Sequence, residues 1–181
     1  MAGRLVKTQF GEAFVGEGAE AAHVNTVLGD AGGALEAAWV GALASPTVGH
    51  APFVVVVQPG LAVRPPTLFV NKAALSGERH STLTWGAAQA GVAGGVVDAL
   101  ADNVIGEQVA EHGLLIAAVW VNPEAADEEA VYRNNRRATR QALEAGRDGA
   151  PHLGDVLEAR HHPWNAFFDP DAAARATEHT S

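Results

Sequence analysis

The sequence of 181 residues contains no cysteine and a single methionine. The lack of cysteine excludes a disulfide framework, thiolate zinc sites and cysteine nucleophiles. No apolar run approaches the roughly 20 residues that a membrane-spanning helix needs. The first ten residues also lack the apolar stretch of a signal peptide. We therefore expect a cytoplasmic protein with no membrane partner.

Basic residues are also scarce: 12 lysines and arginines face 21 acidic residues, and the formal net charge is −9. This charge argues against a nucleic-acid partner, which requires a basic surface. Four arginines nevertheless cluster at spacings that place them on one side of a helix: Arg133, Arg136, Arg137 and Arg140. They form either a local anion site or a solvated face paired with Glu129 and Glu144, and we favour the solvated face.

Two further classes of site have no matching pattern. The sequence has no phosphate-binding loop ending in Gly-Lys-Ser or Gly-Lys-Thr and no GxGxxG motif, so nucleotide chemistry is not indicated. His152, His161 and His162 lie close in sequence, but no helix or strand spacing makes them converge and no carboxylate completes a ligand set. We predict no metal site.

Hydrophobic residues make up 48% of the chain, which is enough for the core of one domain. β-branched runs predict strands over 53–57, 67–70 and 114–121, and glycines within 7–28 predict a hairpin or bulge. Helical spacing predicts helices over 35–43 and 77–103, and a third helix that starts between 122 and 127 and ends at Gly146. The glycines within 86–95 allow close approach by a backbone, a ligand or a partner subunit, or they only let a helix pack tightly on the sheet.

These elements predict an α+β fold with a sheet and helices on one of its faces. We place the main domain at 1–150 and a C-terminal extension at 151–169, packed on that domain or on a neighbouring subunit. The alanine-rich, polar segment 170–181 is expected to be a disordered tail.

His23 is the residue with the clearest catalytic potential. It stands in a largely apolar stretch expected to be a strand, and an imidazole titrates near pH ~6.5, so it can exchange protons under ordinary conditions. Asn25 would share its face, because side chains repeat every second residue along a strand. An amide in that place offers a hydrogen bond but no opposing charge.

Several segments together resemble the formaldehyde-activating enzyme family. They are GEAFVGEG at 11–18, AHVN at 22–25, PTLFVNK at 66–72 and GAAQAGVA at 86–93, and the likeness spans roughly residues 5–148. The resemblance implies a fold similar to the second domain of ribosomal protein S5 and a homopentamer. It also implies condensation of formaldehyde with tetrahydromethanopterin, a reduced pterin co-substrate, to methylene-tetrahydromethanopterin and water, with no covalently bound cofactor.

The resemblance also implies roles for individual residues. His23 matches the family's catalytic histidine, and Lys72 and Gln89 match residues of the pterin site. Four matching positions differ from the family: Asn25 replaces aspartate, Val54 leucine, Ala74 threonine and Asn122 histidine. We interpret His23 as the general acid that helps expel water from a carbinolamine, with Asn25, Val54, Lys72, Ala74 and Gln89 in contact with substrate.

The departures keep two other interpretations open. One is a non-catalytic pentameric homologue that binds or senses formaldehyde or a pterin-like metabolite, since Asn25 and Ala74 remove polar groups from the site. The other keeps the lyase chemistry with a different amine acceptor.

Overall fold

A computed structural model describes residues 7–165 and 168–171, and the chain divides after Ala150 into two compact units. The first unit contains most of the regular structure. Its strands are β1 (Gln9–Val15), β2 (Ala22–Asp30), β3 (Phe53–Val54), β4 (Val56–Gln58), β5 (Leu61–Ala62), β6 (Thr67–Asn71) and β7 (Gly113–Trp120). Its helices are α1 (Ala34–Ala44), α2 (Gly77–Leu83), α3 (Gln89–Ala101), α4 (Glu107–His112) and α5 (Glu128–Asp148). The second unit contains α6 (Leu153–Glu158) and a 3-10 turn at Ala159–His161.

Five strands form the main sheet, in the order β1-β2-β7-β6-β3. The pairs β1–β2, β2–β7 and β3–β6 are antiparallel, whereas β6 and β7 run parallel. Along β7, buried and half-buried residues alternate strictly, because one face of the sheet lies under helices and the other is partly open. The expected α+β class, with helices packed against a sheet, is confirmed.

Helices α3 and α5 pack against each other and form the core with the sheet. Two glycines of α3 explain how closely these helices approach. A Cβ on Gly91 would lie 2.6 Å from the carbonyl oxygen of Tyr132, and one on Gly95 would lie 2.5 Å from that of Arg136. Both distances are shorter than any side chain tolerates, so Gly91 and Gly95 serve helix packing. Of the interpretations left open for the glycine-rich segment, tight helix packing applies to these two residues.

Local signals account for the ends of α5. The side chain of Asp127 accepts a hydrogen bond from the backbone N–H of Ala130 at 2.9 Å, as an N-cap aspartate does. The helix passes the expected end at Gly146 and stops at Asp148, since the following Gly149 adopts a left-handed conformation with φ of 67°. The helix begins one residue after the end of the expected window 122–127 and ends two residues beyond the predicted Gly146.

The four arginines of α5 lie on a face rich in carboxylates. Arg136 forms a two-pronged ion pair with Asp98, with distances of 2.6 and 2.7 Å. Arg140 bonds Asp102 and Glu144 at 2.9 and 3.0 Å, and Arg133 pairs with Glu129. Three of the four guanidinium groups are therefore neutralised within the chain, which supports the solvated face over an anion site.

Other sequence expectations have mixed outcomes. The predicted strand 53–57 is divided into β3 and β4 at Val55, and α4 was not predicted. The helical region 77–103 forms α2 and α3, joined by a π-helical turn at Thr84–Ala88.

The domain limits stay predictions, and the tail 170–181 falls almost wholly outside the described residues. Among residues 7–165 and 168–171, no helix is both long and apolar enough to cross a bilayer.

Candidate functional site

His23 and Asn25 lie near the start of β2, on the partly open face of the sheet. Along β2, Ala22, Val24 and Thr26 are buried, whereas His23 and Asn25 between them are half-buried. The two polar side chains therefore share one face, as the strand periodicity predicts. His23 pairs with Trp120 of β7, and Asn25 pairs with Ala118 in the next row.

Lys72 reaches the same place from the end of β6. The register of β6 on β7 sets Asn71 beside Val119, and the backbone N–H of Lys72 donates to the carbonyl oxygen of Val119 at 2.7 Å. From there its side chain crosses to β2. The ammonium nitrogen Nζ donates to Oδ1 of Asn25 at 2.6 Å and lies 3.3 Å from Nδ1 of His23.

The backbone that carries Lys72 is anchored on both sides. The buried side chain of Asn71 donates to the carbonyl oxygens of Gly49 and Ala73, at 2.9 and 2.8 Å. The imidazole of His50 in turn bonds the carbonyl oxygen of Asn71 through Nδ1 at 2.9 Å. These bonds restrict the backbone from which the Lys72 side chain extends towards Asn25.

Glu12 is the residue that the sequence interpretation missed. It projects from β1 directly opposite Asn25, and its Oε1 lies 2.9 Å from Nε2 of His23. The carboxylate that Asn25 fails to provide is thus supplied by the neighbouring strand. A signal was present, since Phe10, Glu12 and Phe14 alternate with buried residues. The β1–β2 register was needed to bring Glu12 to His23.

The charges around His23 oppose one another. Partial burial and the nearby Lys72 ammonium lower the pKa of His23, whereas the Glu12 carboxylate raises it. Partial burial also lowers the pKa of Lys72, again against the influence of Glu12. With Lys72 donating to Nδ1, the neutral imidazole carries its proton on Nε2 and donates it to Glu12. The Glu12 carboxylate therefore raises the pKa of both His23 and Lys72, while a protonated Lys72 lowers the pKa of His23.

A Glu12→Gln variant should lower the pKa of His23 further, because the substitution removes the charge that stabilises the imidazolium. Proton NMR of the histidine ring as a function of pH measures this change. Glu17→Gln is the matched control, since Glu17 lies beyond the end of β1. An unchanged titration of His23 in Glu12→Gln would contradict the proposed pairing.

Val54 and Gln89 belong to a second group of residues. They line a cavity of 440 Å³ at the β3 edge of the sheet, together with Ala51, Pro52, Phe53, Val56 and Trp85. The side-chain oxygen of Gln89 accepts the backbone N–H of Val56 at 2.7 Å. Because a backbone N–H can only donate, this bond fixes the amide orientation and leaves the NH₂ group of Gln89 as the donor for a ligand.

The described residues therefore place the candidate site in two parts. Glu12, His23, Asn25 and Lys72 form a polar cluster, and Val54 and Gln89 line the apolar cavity. Two strands, β7 and β6, lie between β2, which carries His23 and Asn25, and β3, which carries Val54. Ala74 is exposed in the loop after Lys72, beside Gly49. Asn122 accepts the backbone N–H of Glu124 in the turn after β7.

A larger cavity of 950 Å³ lies elsewhere and contains none of the predicted site residues. It is lined by Asp30, Gly32 and Gly33 near the end of β2 and by Glu111 and His112 before β7. The three histidines considered as metal ligands, His152, His161 and His162, lie in the second unit. Across the described residues, no cluster of three or more His, Cys, Asp or Glu side chains is arranged to bind a metal.

Comparison with known proteins adds independent information. The family model described as formaldehyde-activating enzyme (Fae) matches residues 10–168. The chain is 36% identical over 163 residues to a 5,6,7,8-tetrahydromethanopterin hydro-lyase of Methanosarcina barkeri, covering 88% of this chain and 92% of that protein. It is 37% identical over 160 residues to the bifunctional enzyme Fae/Hps of the same organism, and it covers 41% of that longer protein. A bifunctional enzyme Fae/Hps of Methanosarcina mazei is 35% identical over the same length.

Proposed function

The chain belongs to the formaldehyde-activating enzyme family, and we propose that it condenses formaldehyde with tetrahydromethanopterin to a methylene adduct and water. The observation that carries the proposal is the Glu12–His23 pair beside Lys72 and Asn25. Addition of an amine to formaldehyde gives a carbinolamine, whose hydroxyl group must be protonated before it leaves as water. A positioned histidine supplies such a proton.

Glu12 supports His23 in this role. A carboxylate 2.9 Å from Nε2 stabilises the imidazolium and so opposes partial burial and the Lys72 ammonium, which keep the pKa of His23 below its ordinary value. It also orients the ring, since the Nε2–H to Glu12 bond leaves Nδ1 facing Lys72. Asn25 bonds Lys72 and thereby holds the amine beside the imidazole. In our proposal, the absence of aspartate at position 25 is offset by Glu12.

The apolar cavity is our proposed binding place for the pterin. Its wall combines apolar side chains with Trp85, and the NH₂ group of Gln89 provides a directed donor, the usual composition of a small-molecule site. Val54 shapes the wall, and Ala74 leaves room next to Lys72 where the family has a hydroxyl. We propose tetrahydromethanopterin as a dissociable co-substrate.

We also propose that the chain functions as a homo-oligomer, with a pentamer as the expected form. Helix α1 supports this, because it contains a single charged residue, Glu36, and none of its residues is buried in the protomer. A helix that is apolar around its circumference is normally covered. Association of copies would also let the polar cluster of one subunit meet the cavity of another. Light scattering that gives a monomer would contradict this arrangement.

The proposed activity is tested by following methylene-tetrahydromethanopterin formation spectroscopically. Formaldehyde and tetrahydromethanopterin also condense spontaneously, so the expected result is a rate that rises in proportion to protein concentration above this background. Boiled protein and bovine serum albumin are the controls. No acceleration at any pH from about 6 to 8, the range in which histidine titrates, would overturn the proposal.

The non-catalytic alternative has less support from the structure. Asn25 motivated it, and Glu12 now provides a carboxylate next to His23. Isothermal calorimetry distinguishes the two: ligand binding without turnover would favour a binding protein, and turnover would exclude it. A lyase with another amine acceptor would accelerate the condensation of formaldehyde with that amine and not with tetrahydromethanopterin.

A further inference from the structure

Lys72 has a chemical environment unlike that of an ordinary ligand-binding lysine. Its Nζ lies 3.3 Å from Nδ1 of the candidate acid His23, and it is held there by the 2.6 Å bond to Asn25. Partial burial lowers its pKa and so favours the neutral amine, which is the nucleophilic form. Its hydrogen-bond partner Asn25 is uncharged and therefore does not stabilise the ammonium form as a carboxylate would.

We propose that Lys72 captures formaldehyde covalently, as an iminium formed beside His23, before the methylene group passes to the co-substrate amine. The transfer step rests on the proposed lyase function, but the capture step does not. Only a small aldehyde and an amine are required, and no oxidant or reductant takes part. Lysine is a common nucleophile towards carbonyl compounds when a neighbouring group lowers its proton affinity.

The steps balance without further reagents. The lone pair of Lys72 Nζ attacks the carbonyl carbon, an N–C bond forms, and a proton moves from nitrogen to oxygen to give the carbinolamine. Protonated His23 then donates its proton to the hydroxyl group, the C–O bond breaks, and water leaves as the nitrogen lone pair forms the C=N bond. Glu12 stabilises the imidazolium before this donation.

Transfer follows by exchange of one amine for another. The co-substrate nitrogen attacks the iminium carbon and forms a new N–C bond. The proton of that nitrogen passes to the Lys72 nitrogen, the bond from the carbon to Lys72 breaks with its electron pair going to Lys72, and a C=N bond forms to the co-substrate. A second N–H group of the co-substrate then adds to this carbon to complete the methylene bridge, and its proton returns to His23. The net reaction is the same condensation of formaldehyde with an amine and loss of one water. His23 acts as the acid in this path and also in the direct path, in which the co-substrate amine attacks formaldehyde itself. The two paths therefore differ in whether Lys72 forms a covalent intermediate.

The composition of the chain makes the capture step unusually easy to test. The sequence contains two lysines, Lys72 and Lys7, and both are exposed, so Lys7, which lies before β1, serves as an internal control. The full chain is incubated near neutral pH with less than one equivalent of ¹³C-formaldehyde and with cyanoborohydride, which reduces iminium ions to stable N-methyl groups. Peptide mass spectrometry then assigns the methyl groups.

We expect labelling of Lys72 to exceed that of Lys7, because a lowered pKa raises the neutral fraction of the Lys72 amine and His23 assists loss of water there. His23→Gln should reduce labelling of Lys72 but not of Lys7, since the carbinolamine itself is not reduced. Equal labelling of the two lysines, or stronger labelling of Lys7, would overturn the capture step.

Lys72→Arg separates covalent catalysis from simple ligand binding. Arginine keeps the positive charge but forms no iminium under these conditions, so the lyase rate should fall to the spontaneous background, whereas Lys7→Arg should leave it unchanged. Retained activity in Lys72→Arg would overturn the transfer step. Selective labelling without lyase activity in the unchanged chain would support capture and refute the proposed function. Activity without selective labelling would support the function and refute capture.

Discussion

A His23→Gln variant is expected to form methylene-tetrahydromethanopterin about 10²–10⁴ times more slowly than the unchanged chain, the contribution typical of a positioned general acid. Glutamine retains hydrogen-bonding groups that can reach Glu12, but it cannot deliver a proton to the departing hydroxyl. The rate is measured above the spontaneous condensation over a range of protein concentrations. A fall in kcat with little change in KM is expected, since His23 acts in the chemical step.

His112→Gln is the matched control for this prediction. The side chain of His112 is 58% exposed and precedes β7, whereas His23 pairs with Trp120 at the opposite end of that strand. Its replacement should leave the rate unchanged. Thermal unfolding of both variants checks that the fold is retained. A His23→Gln variant that keeps its fold and a rate within about twofold of the original would refute the general-acid role, because such a role contributes far more.

Much of the fold follows from local sequence patterns. The β-branched run 114–121 predicts β7, and helical spacing with a start between 122 and 127 predicts α5. The shared face of His23 and Asn25 follows from strand periodicity alone. Short elements such as α4 carry too few residues for a periodic signal, so they were missed.

The partners within the candidate site could not be derived in the same way. Glu12 meets His23 because of the β1–β2 register, and Lys72 meets Asn25 because β6 lies beside β7. Both juxtapositions depend on strand pairing between distant residues, which a single sequence does not determine. Family resemblance named Lys72 and Asn25 as site residues but gave no reason for their contact. The structure supplies one, a hydrogen bond that places the amine next to the imidazole.

The separation of Val54 and Gln89 from His23 within the protomer was likewise hidden from the sequence. Both residues match the same family site, yet they line a cavity at the β3 edge, whereas His23 lies on β2. Since β7 and β6 lie between β2 and β3, two strands of the sheet separate His23 from Val54. This separation is the physical reason for proposing that the complete site requires more than one subunit.

Replacing Asn25 by aspartate is expected to move the pH dependence of both labelling and turnover to higher pH. The side-chain oxygen of Asn25 lies 2.6 Å from Lys72 Nζ, so a carboxylate there would pair with the ammonium group and raise the pKa of Lys72. The added negative charge would also raise the pKa of His23. Near neutral pH, labelling of Lys72 should fall about tenfold for each unit by which its pKa rises.

Gln58→Glu is the matched control, because it converts an amide to a carboxylate at an exposed position of β4 and adds the same charge. Labelling and turnover are measured from about pH 5 to pH 11, a range that spans the ordinary titrations of both histidine and lysine. If Lys72 acts only as a cation that holds the ligand, Asn25→Asp keeps more of Lys72 in the ammonium form. Near neutral pH, labelling then decreases while turnover increases. If Lys72 must be neutral to capture formaldehyde, both decrease there and recover as the pH rises. A profile that moves no further in Asn25→Asp than in Gln58→Glu would show that Asn25 does not control the protonation of Lys72.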